Sequence, residues 1–273
     1  MIEALLQAGE IDLILSVIVI TKDNFLELVA TIESLYEQEN LEIIVIDGGT
    51  CAKSQVFLQQ VRLKYSRFKF ICEKDSGISD AFNRGLKQVT GDAVNFLNSG
   101  DILISASYYP RAMNILQLRP EIEFVHADIL FGDSLAGTLV LKPSLSNLGR
   151  GMPYRHQAMI FRLTVFEKLG GFSVKLKATM DFDLVCRMHK EGMLGFYDQT
   201  EAVVKMDGGG ISSTRELLGY REHDQILTQH GLWNFSNVLG TCTRYLFFAV
   251  RKILLFFKLK RVVVELKQFK RRI

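Results

Sequence analysis

The chain has 273 residues, 48% of them apolar and 23% charged, enough for one large α/β domain with a sizeable core and an appendage. Its net charge of +3 hides an asymmetry: residues 244–273 carry ten Lys or Arg and one acid, whereas residues 1–243 carry 23 basic and 29 acidic groups. An acidic body without a recognition motif argues against nucleic acid as the partner of the basic tail, and no uncharged apolar run approaches the roughly 20 residues of a membrane span.

The four cysteines, Cys51, Cys72, Cys186 and Cys242, stand far apart with no CxxC pair, the pattern of thiols in a reducing compartment. Glu3, Glu10 and Asp12, with no basic start, are unlike a secretory signal. A cytoplasmic body is the expectation.

Leu13–Thr21 is a β-branched run of the kind buried on both faces of a parallel sheet. Asn24 is placed to cap a helix whose apolar positions, Phe25, Leu28, Val29, Ile32, Leu35 and Tyr36, share one face. Leu41–Ile46 reads as the second strand, ending at Asp47-Gly48-Gly49. A weaker helix through Phe57, Val61 and Tyr65 leads to a third strand, Phe68–Cys72, which ends at Glu73-Lys74-Asp75. The next helix is expected to be capped by Ser79, with Ile78, Phe82, Leu86 and Val89 inward and Asp80, Asn83, Arg84 and Lys87 outward. Ala93–Leu97 is the fourth strand; it breaks at Asn98-Ser99-Gly100 and leaves Asp101 on a turn at its carboxyl end.

Strands recurring about every 25 residues with helices between them argue for repeated right-handed βαβ units. Thr21, Asp47, the Glu73–Asp75 group and Asn98–Asp101 then emerge on one edge of one sheet, the edge at which open α/β sheets bind ligands. A nucleotide fits such an acid-lined crevice: Asp47 could accept from a base N–H or a ribose hydroxyl, and Asp101 could hold a metal on the diphosphate. The plain alternative for each is a solvated turn acid. Thr21-Lys22-Asp23-Asn24 contains no glycine, so neither a dinucleotide fingerprint nor a P-loop is present, and a cation must do what backbone N–H groups do in those folds.

In the second half, Glu123–Leu130 and Thr138–Leu141 read as strands joined by Phe131-Gly132-Asp133. His156, in Arg155-His156-Gln157, is open between a satisfied structural histidine and a role at phosphates or acceptor. Asp181-Phe182-Asp183 opens a helix running to Gly192; an acid there is either a cap or a site residue, and adjacency turns the two carboxylates to different sides. Gly208-Gly209-Gly210 suits either a loop closing over a ligand or a flexible connector.

Seven motifs in order, from Ser16 to Ser213, resemble the family 2 glycosyltransferases of the GT-A fold, particularly bacterial exopolysaccharide and colanic-acid-type sugar transferases. They are Ser16-Val-Ile-Val-Ile-Thr21, Glu42-Ile-Ile-Val-Ile-Asp-Gly-Gly49, Glu73-Lys-Asp-Ser-Gly-Ile-Ser-Asp-Ala-Phe-Asn-Arg-Gly85, Phe96-Leu-Asn-Ser-Gly-Asp101, Arg155-His-Gln157, Met180-Asp-Phe-Asp-Leu184 and Gly208-Gly-Gly-Ile-Ser212. The resemblance implies an α/β fold with a Rossmann-like, mostly parallel sheet flanked by helices over residues 1–213, followed by a helical, basic extension over 214–273. It implies donor contacts from Thr21, Asp47, Asp75, Arg84, Asn98 and His156, a divalent cation, Mg²⁺ or Mn²⁺, on Asp101, and Asp181 as the general base. Many relatives carry two acids where this chain has Ser99-Gly100-Asp101, a single carboxylate.

The implied activity is inverting transfer of a sugar from a nucleotide-sugar donor to a glycan or lipid-linked acceptor in bacterial surface polysaccharide synthesis. The rivals are a non-catalytic nucleotide-sugar-binding protein and a sugar-phosphate nucleotidyltransferase, the latter disfavoured by the missing Gly-rich loop. In the tail, Arg244, Arg251 and Lys258 recur every seven residues amid Phe and Leu. This suggests a helix lying on an anionic membrane with its basic groups at the headgroups, peripheral at the inner face of the cell membrane; the plain alternative is a helix packed on the body with a solvated basic end.

Overall fold

The computed structural model describes residues 12–49, 52–133, 137–143, 148–207, 215–233, 235–257, 259 and 262. The elements run β1 (Leu15–Thr21), α1 (Phe25–Glu33), β2 (Leu41–Asp47), α2 (Ala52–Lys64), β3 (Phe68–Cys72), α3 (Ile78–Leu86), β4 (Ala93–Asn98), β5 (Ile102–Leu103) and α4 (Tyr108–Leu118). They continue with β6 (Ile122–Asp133), β7 (Gly137–Leu141), β8 (Met159–Arg162), α5 (Leu163–Leu169), α6 (Met180–Lys190), β9 (Leu194–Asp207), α7 (Glu216–Gln229) and α8 (Phe235–Phe256).

All seven residues of β1 are buried because it lies inside the sheet, parallel to β2 on one side and β4 on the other. Its side chains alternate between two cores. Val17 and Val19, with Ile43 and Val45 of β2, pack with Leu28, Ile32 and Leu58 of α1 and α2. Ile18 and Ile20, with Ile44 and Ile46, pack with Phe82 of α3 and with Phe166, Phe182 and Ile226 further along the chain.

The sheet order is β3-β2-β1-β4-β8-β6-β9-β5, with β7 off this path, pairing residues 129–133 of β6 beyond the stretch that pairs with β8. From β1 the chain winds outward through β2 and β3, then crosses back to β4, so its direction of winding reverses between β1 and β4, where α/β sheets open a binding crevice. The α/β class with helices on both faces is as the sequence suggests. Parallel pairing prevails from β3 to β4 and between β6 and β9, whereas β8 is antiparallel to both β4 and β6.

Several local expectations change. Ser79 lies inside α3, because Gly77, at φ 133°, takes the cap position; its hydroxyl donates instead to the Leu176 carbonyl at 3.2 Å. Asn24 does hold the cap position of α1, but its side chain makes no cap bond and turns to Glu27. Asn83 faces inward, its amide clasping the backbone of Phe172 in both directions at 2.8 Å. Residues 131–133 extend β6 rather than linking strands, since they pair with Leu139–Gly137 of β7. The glycine run 208–210, the boundary at 213 and Cys51 lie outside the described residues.

The tail needs the largest correction. Arg244 is buried, with Nη2 at 2.7 Å from Asp224 and Nη1 at 2.9 Å from the Gly149 carbonyl. Arg251 pairs with Glu216. The seven-residue stripe thus faces α7, not a headgroup layer, because two acids of α7 match its spacing; Lys258 lies outside the described residues. Instead, α8 turns outward Leu246, Ile253 and Phe256, followed by Phe257, all more than half exposed, beside the exposed Lys252. Among the described residues no helix is long and apolar enough to cross a membrane.

Candidate active site

Parallel register aligns the strand ends. Thr21 sits beside Asp47, Asp47 beside Cys72, and Ile20 beside Asn98, so three candidate residues share one edge. The ladder runs one step further, with Gly48 N–H donating to the Thr21 carbonyl at 2.9 Å and Glu73 N–H to the Asp47 carbonyl at 3.0 Å. Asp47 is buried and accepts the Gly49 N–H at 2.9 Å. Burial raises its carboxyl above the usual value; hydrogen bonds from Gly49 and Ser54 oppose this, and the charges of Asp23 and Asp75 add to it.

The two glycines after β2 let those acids approach. A Cβ on Gly48 would lie 1.6 Å from an Asp75 carboxylate oxygen, and one on Gly49 would lie 2.5 Å from Asp23. Asp23 reaches its place through a left-handed backbone, φ 54°, in the short turn between β1 and α1. Nothing in the residues around Asp23 marks its part in this acid group beyond the missing glycine there. The Thr21 hydroxyl is buried and has no hydrogen-bond partner among the described residues. Arg84, expected near the donor, braces the turn after β3: it donates to the Lys74 carbonyl at 3.1 Å and pairs with Asp80 at 3.2 Å and Glu73 at 3.5 Å.

Asp101 follows β4 on the expected turn, closed by its own N–H to the Asn98 carbonyl at 3.0 Å. Gly100, at φ 98°, allows the reversal. The Asp101 carboxylate is turned back onto Asn98, accepting from its N–H at 2.8 Å and its side-chain amide at 3.1 Å. Asn98 thus holds the acid. Asp101 is only 5% exposed, and burial pushes its carboxyl up to about 6 against the opposing pull of Asn98, His156 and Gln157. Gln157 belongs to one of the seven motifs, yet its bond to Asp101 had no signal in residue type or spacing. Among the described residues no group of three or more His, Cys, Asp or Glu is placed to hold a metal ion.

His156 brings the second acid to this place. It lies in a short 3₁₀ turn ahead of β8, with Nδ1 3.4 Å from Asp181 in the first turn of α6. Asp181 also accepts the Phe182 N–H at 2.8 Å. Burial opposes its charge, but the hydrogen bond and positive charge of His156 and the Phe182 N–H prevail, so its carboxyl is held below the ordinary range. The other ring nitrogen of His156 is buried with no hydrogen-bond partner among the described residues. Asp183 points away, to His230 at 2.9 Å and Arg187 at 3.0 Å. Asp101, His156 and Asp181 therefore come together from parts of the chain 80 residues apart, while Thr21, Asp47 and Asp75 line the neighbouring strand ends.

Comparison with known proteins agrees with this architecture. An uncharacterized glycosyltransferase of Haemophilus influenzae is 25% identical over 193 residues, 65% of this chain and 62% of the relative, so the chain spans about three fifths of that protein's length. A PGL/p-HBAD biosynthesis glycosyltransferase of Mycobacterium tuberculosis is 24% identical over 212 residues, 73% of this chain and 79% of the relative. Among solved structures, the mannosyltransferase PcManGT from Pyrobaculum calidifontis, in complex with GDP-Man and Mn²⁺, superposes with a TM-score of 0.61 at 13% identity, covering 98% of this chain and 89% of that one. The fold is thus the GT-A type. Residues 16–163 match the family model described as Glycosyl transferase family 2, and the chain belongs to that family.

Proposed function

We propose that the protein transfers a sugar, with inversion, from a nucleotide-sugar to a hydroxyl of a glycan or lipid-linked acceptor in surface polysaccharide synthesis. The observation that carries this reading is the pairing of Asp101 and Asp181 about His156 beside the strand-end acids. Thr21, Asp47 and Asp75 bind the nucleoside, with Asp47 accepting from a base N–H or ribose hydroxyl. Asp101 suits a hard cation, Mg²⁺ or Mn²⁺, that takes its remaining ligands from phosphate and water, as one carboxylate with no cluster around it requires. Once bound, such an ion neutralises charge growing on the diphosphate leaving group. Asp181 takes the proton from the acceptor hydroxyl as it attacks the anomeric carbon. His156 keeps Asp181 ionised and oriented. One base on one side and one leaving group on the other need no covalent nucleophile.

A thermal-shift screen tests the donor half. UDP or GDP, or a sugar conjugate of one of them, should raise the melting temperature by several degrees with Mn²⁺ and by little without it. No shift with any of them removes the donor reading.

The exposed apolar residues of α8 support peripheral contact with an anionic membrane at the cytoplasmic face. Residues 258–273 follow it in the sequence with seven Lys or Arg and one acid, which complement anionic headgroups. Ile253→Glu with Phe256→Glu, both at exposed positions, should weaken binding to phosphatidylglycerol-containing vesicles by about tenfold or more. Unchanged flotation with those vesicles would refute the contact.

A further inference from the structure

We infer that Glu222 is a positioning residue that aims Asp181, an inference resting on the reading of Asp181 as the base. Glu222 lies in the second turn of α7, is 6% exposed, and receives four donors. One carboxylate oxygen accepts the Lys177 N–H at 2.8 Å; the other accepts the Ala178 N–H at 2.9 Å, the Thr179 N–H at 3.1 Å and the Thr179 hydroxyl at 3.0 Å. These three residues lead directly into α6. Thr179 holds the cap position of that helix and makes no cap bond of its own, because its hydroxyl is given to Glu222. A carboxylate from another helix thus does the work of the cap, at the end of α6 where a negative charge is favoured.

The next residue of α7 completes the grip. His223 stacks on Phe182, ring centroids 4.2 Å apart and planes 14° from parallel. Glu222 therefore fixes the backbone just before Asp181, and His223 fixes the residue just after it. The same segment reaches the donor side, where Leu176 accepts from Ser79 and the Lys177 amine donates to the Ser76 carbonyl at 3.5 Å. The bonds of Glu222 go to residues 177–179 rather than to Asp181 or His156, so it acts through the main chain. Displacing a reacting group by about 1 Å can cost about 100-fold in rate.

The test is Glu222→Gln, which keeps the shape but leaves one acceptor oxygen for four donors, with Glu222→Asp as a second variant that keeps the charge. Release of nucleoside diphosphate from the sugar nucleotide that binds in the screen above is followed with water as acceptor, below the melting temperature of each variant. Glu222→Gln should lower kcat about 30-fold or more with KM and nucleoside diphosphate affinity within about twofold, and Glu222→Asp should recover part of the loss. In an Asp181→Asn background, Glu222→Gln should change the residual rate no further, since it acts through the group already removed. Wild-type kcat in both folded variants, parallel loss of rate and nucleotide affinity, or losses that multiply in the double variant would each overturn the inference. A fully active Asp181→Asn would bring down the base assignment as well, and that single variant reports it separately.

Discussion

Asp181→Asn should cut sugar transfer by about 100-fold or more while leaving nucleotide binding intact. The amide is nearly isosteric and its carbonyl oxygen can still accept the Phe182 N–H, so the first turn of α6 keeps its shape. What is lost is the ability to accept a proton, together with the charge that faces His156 at 3.4 Å. Positioned proton transfer contributes about 100- to 10,000-fold, and kcat should fall within that range. Thr21, Asp47 and Asp75 sit on strand ends rather than on α6, so calorimetry with a nucleoside diphosphate and Mn²⁺ should give an affinity within about threefold of wild type. A variant that keeps more than about a tenth of the wild-type rate would disqualify Asp181 as the base.

Asp101→Asn should have the opposite signature, losing the cation-dependent part of donor binding. Its carboxylate is buried, and burial raises its pKa from 3.8 to about 6. Two consequences follow from the sign of that shift. Below about pH 6 a proton occupies the group that would hold the cation, so Mn²⁺-dependent stabilisation by nucleotide should fade as pH drops from 7 to 5, by up to about tenfold in affinity per unit below 6. In addition, the unfolded chain ionises this carboxyl near 3.8 and the folded chain only near 6. Stability is therefore lost as pH rises between those values and stays reduced at pH 7. Without cation, Asp101→Asn should be more stable to unfolding than wild type at pH 7, by up to about 3 kcal/mol, although it no longer responds to Mn²⁺. A variant that keeps the full Mn²⁺ response in the thermal-shift assay would remove Asp101 from the metal site.

The strand-end half of the candidate site was largely legible in the sequence because its order is local. The apolar runs of β1, β2 and β4 read as strands covered on both faces, and the polar residues at their ends reach the same edge once the strands are parallel. Register, which brings Thr21, Asp47 and Cys72 into line, follows from that pairing. Legibility ended where partners are distant. Glu222 bonds to residues 43 to 45 positions away, and nothing in residues 216–229 alone marks it as more than a surface acid of a helix. Gln157 and His156 owe their meaning to Asp101 and Asp181 on either side. The arginines of α8 show the limit of periodicity: spacing put Arg244 and Arg251 on one side of a helix, but only Asp224 and Glu216 decide that this side faces inward.

The family match ends at Leu163, ahead of every residue that holds Asp181 in place from α7. Glu222, His223 and His230 bind α7 to α6 and the turn before it as one block, which packs through Phe182 and Ile226 against β1 and β2. With Asp181 as the base, changes confined to that helical block would retune the proton acceptor while every residue of the matched segment stayed as it is.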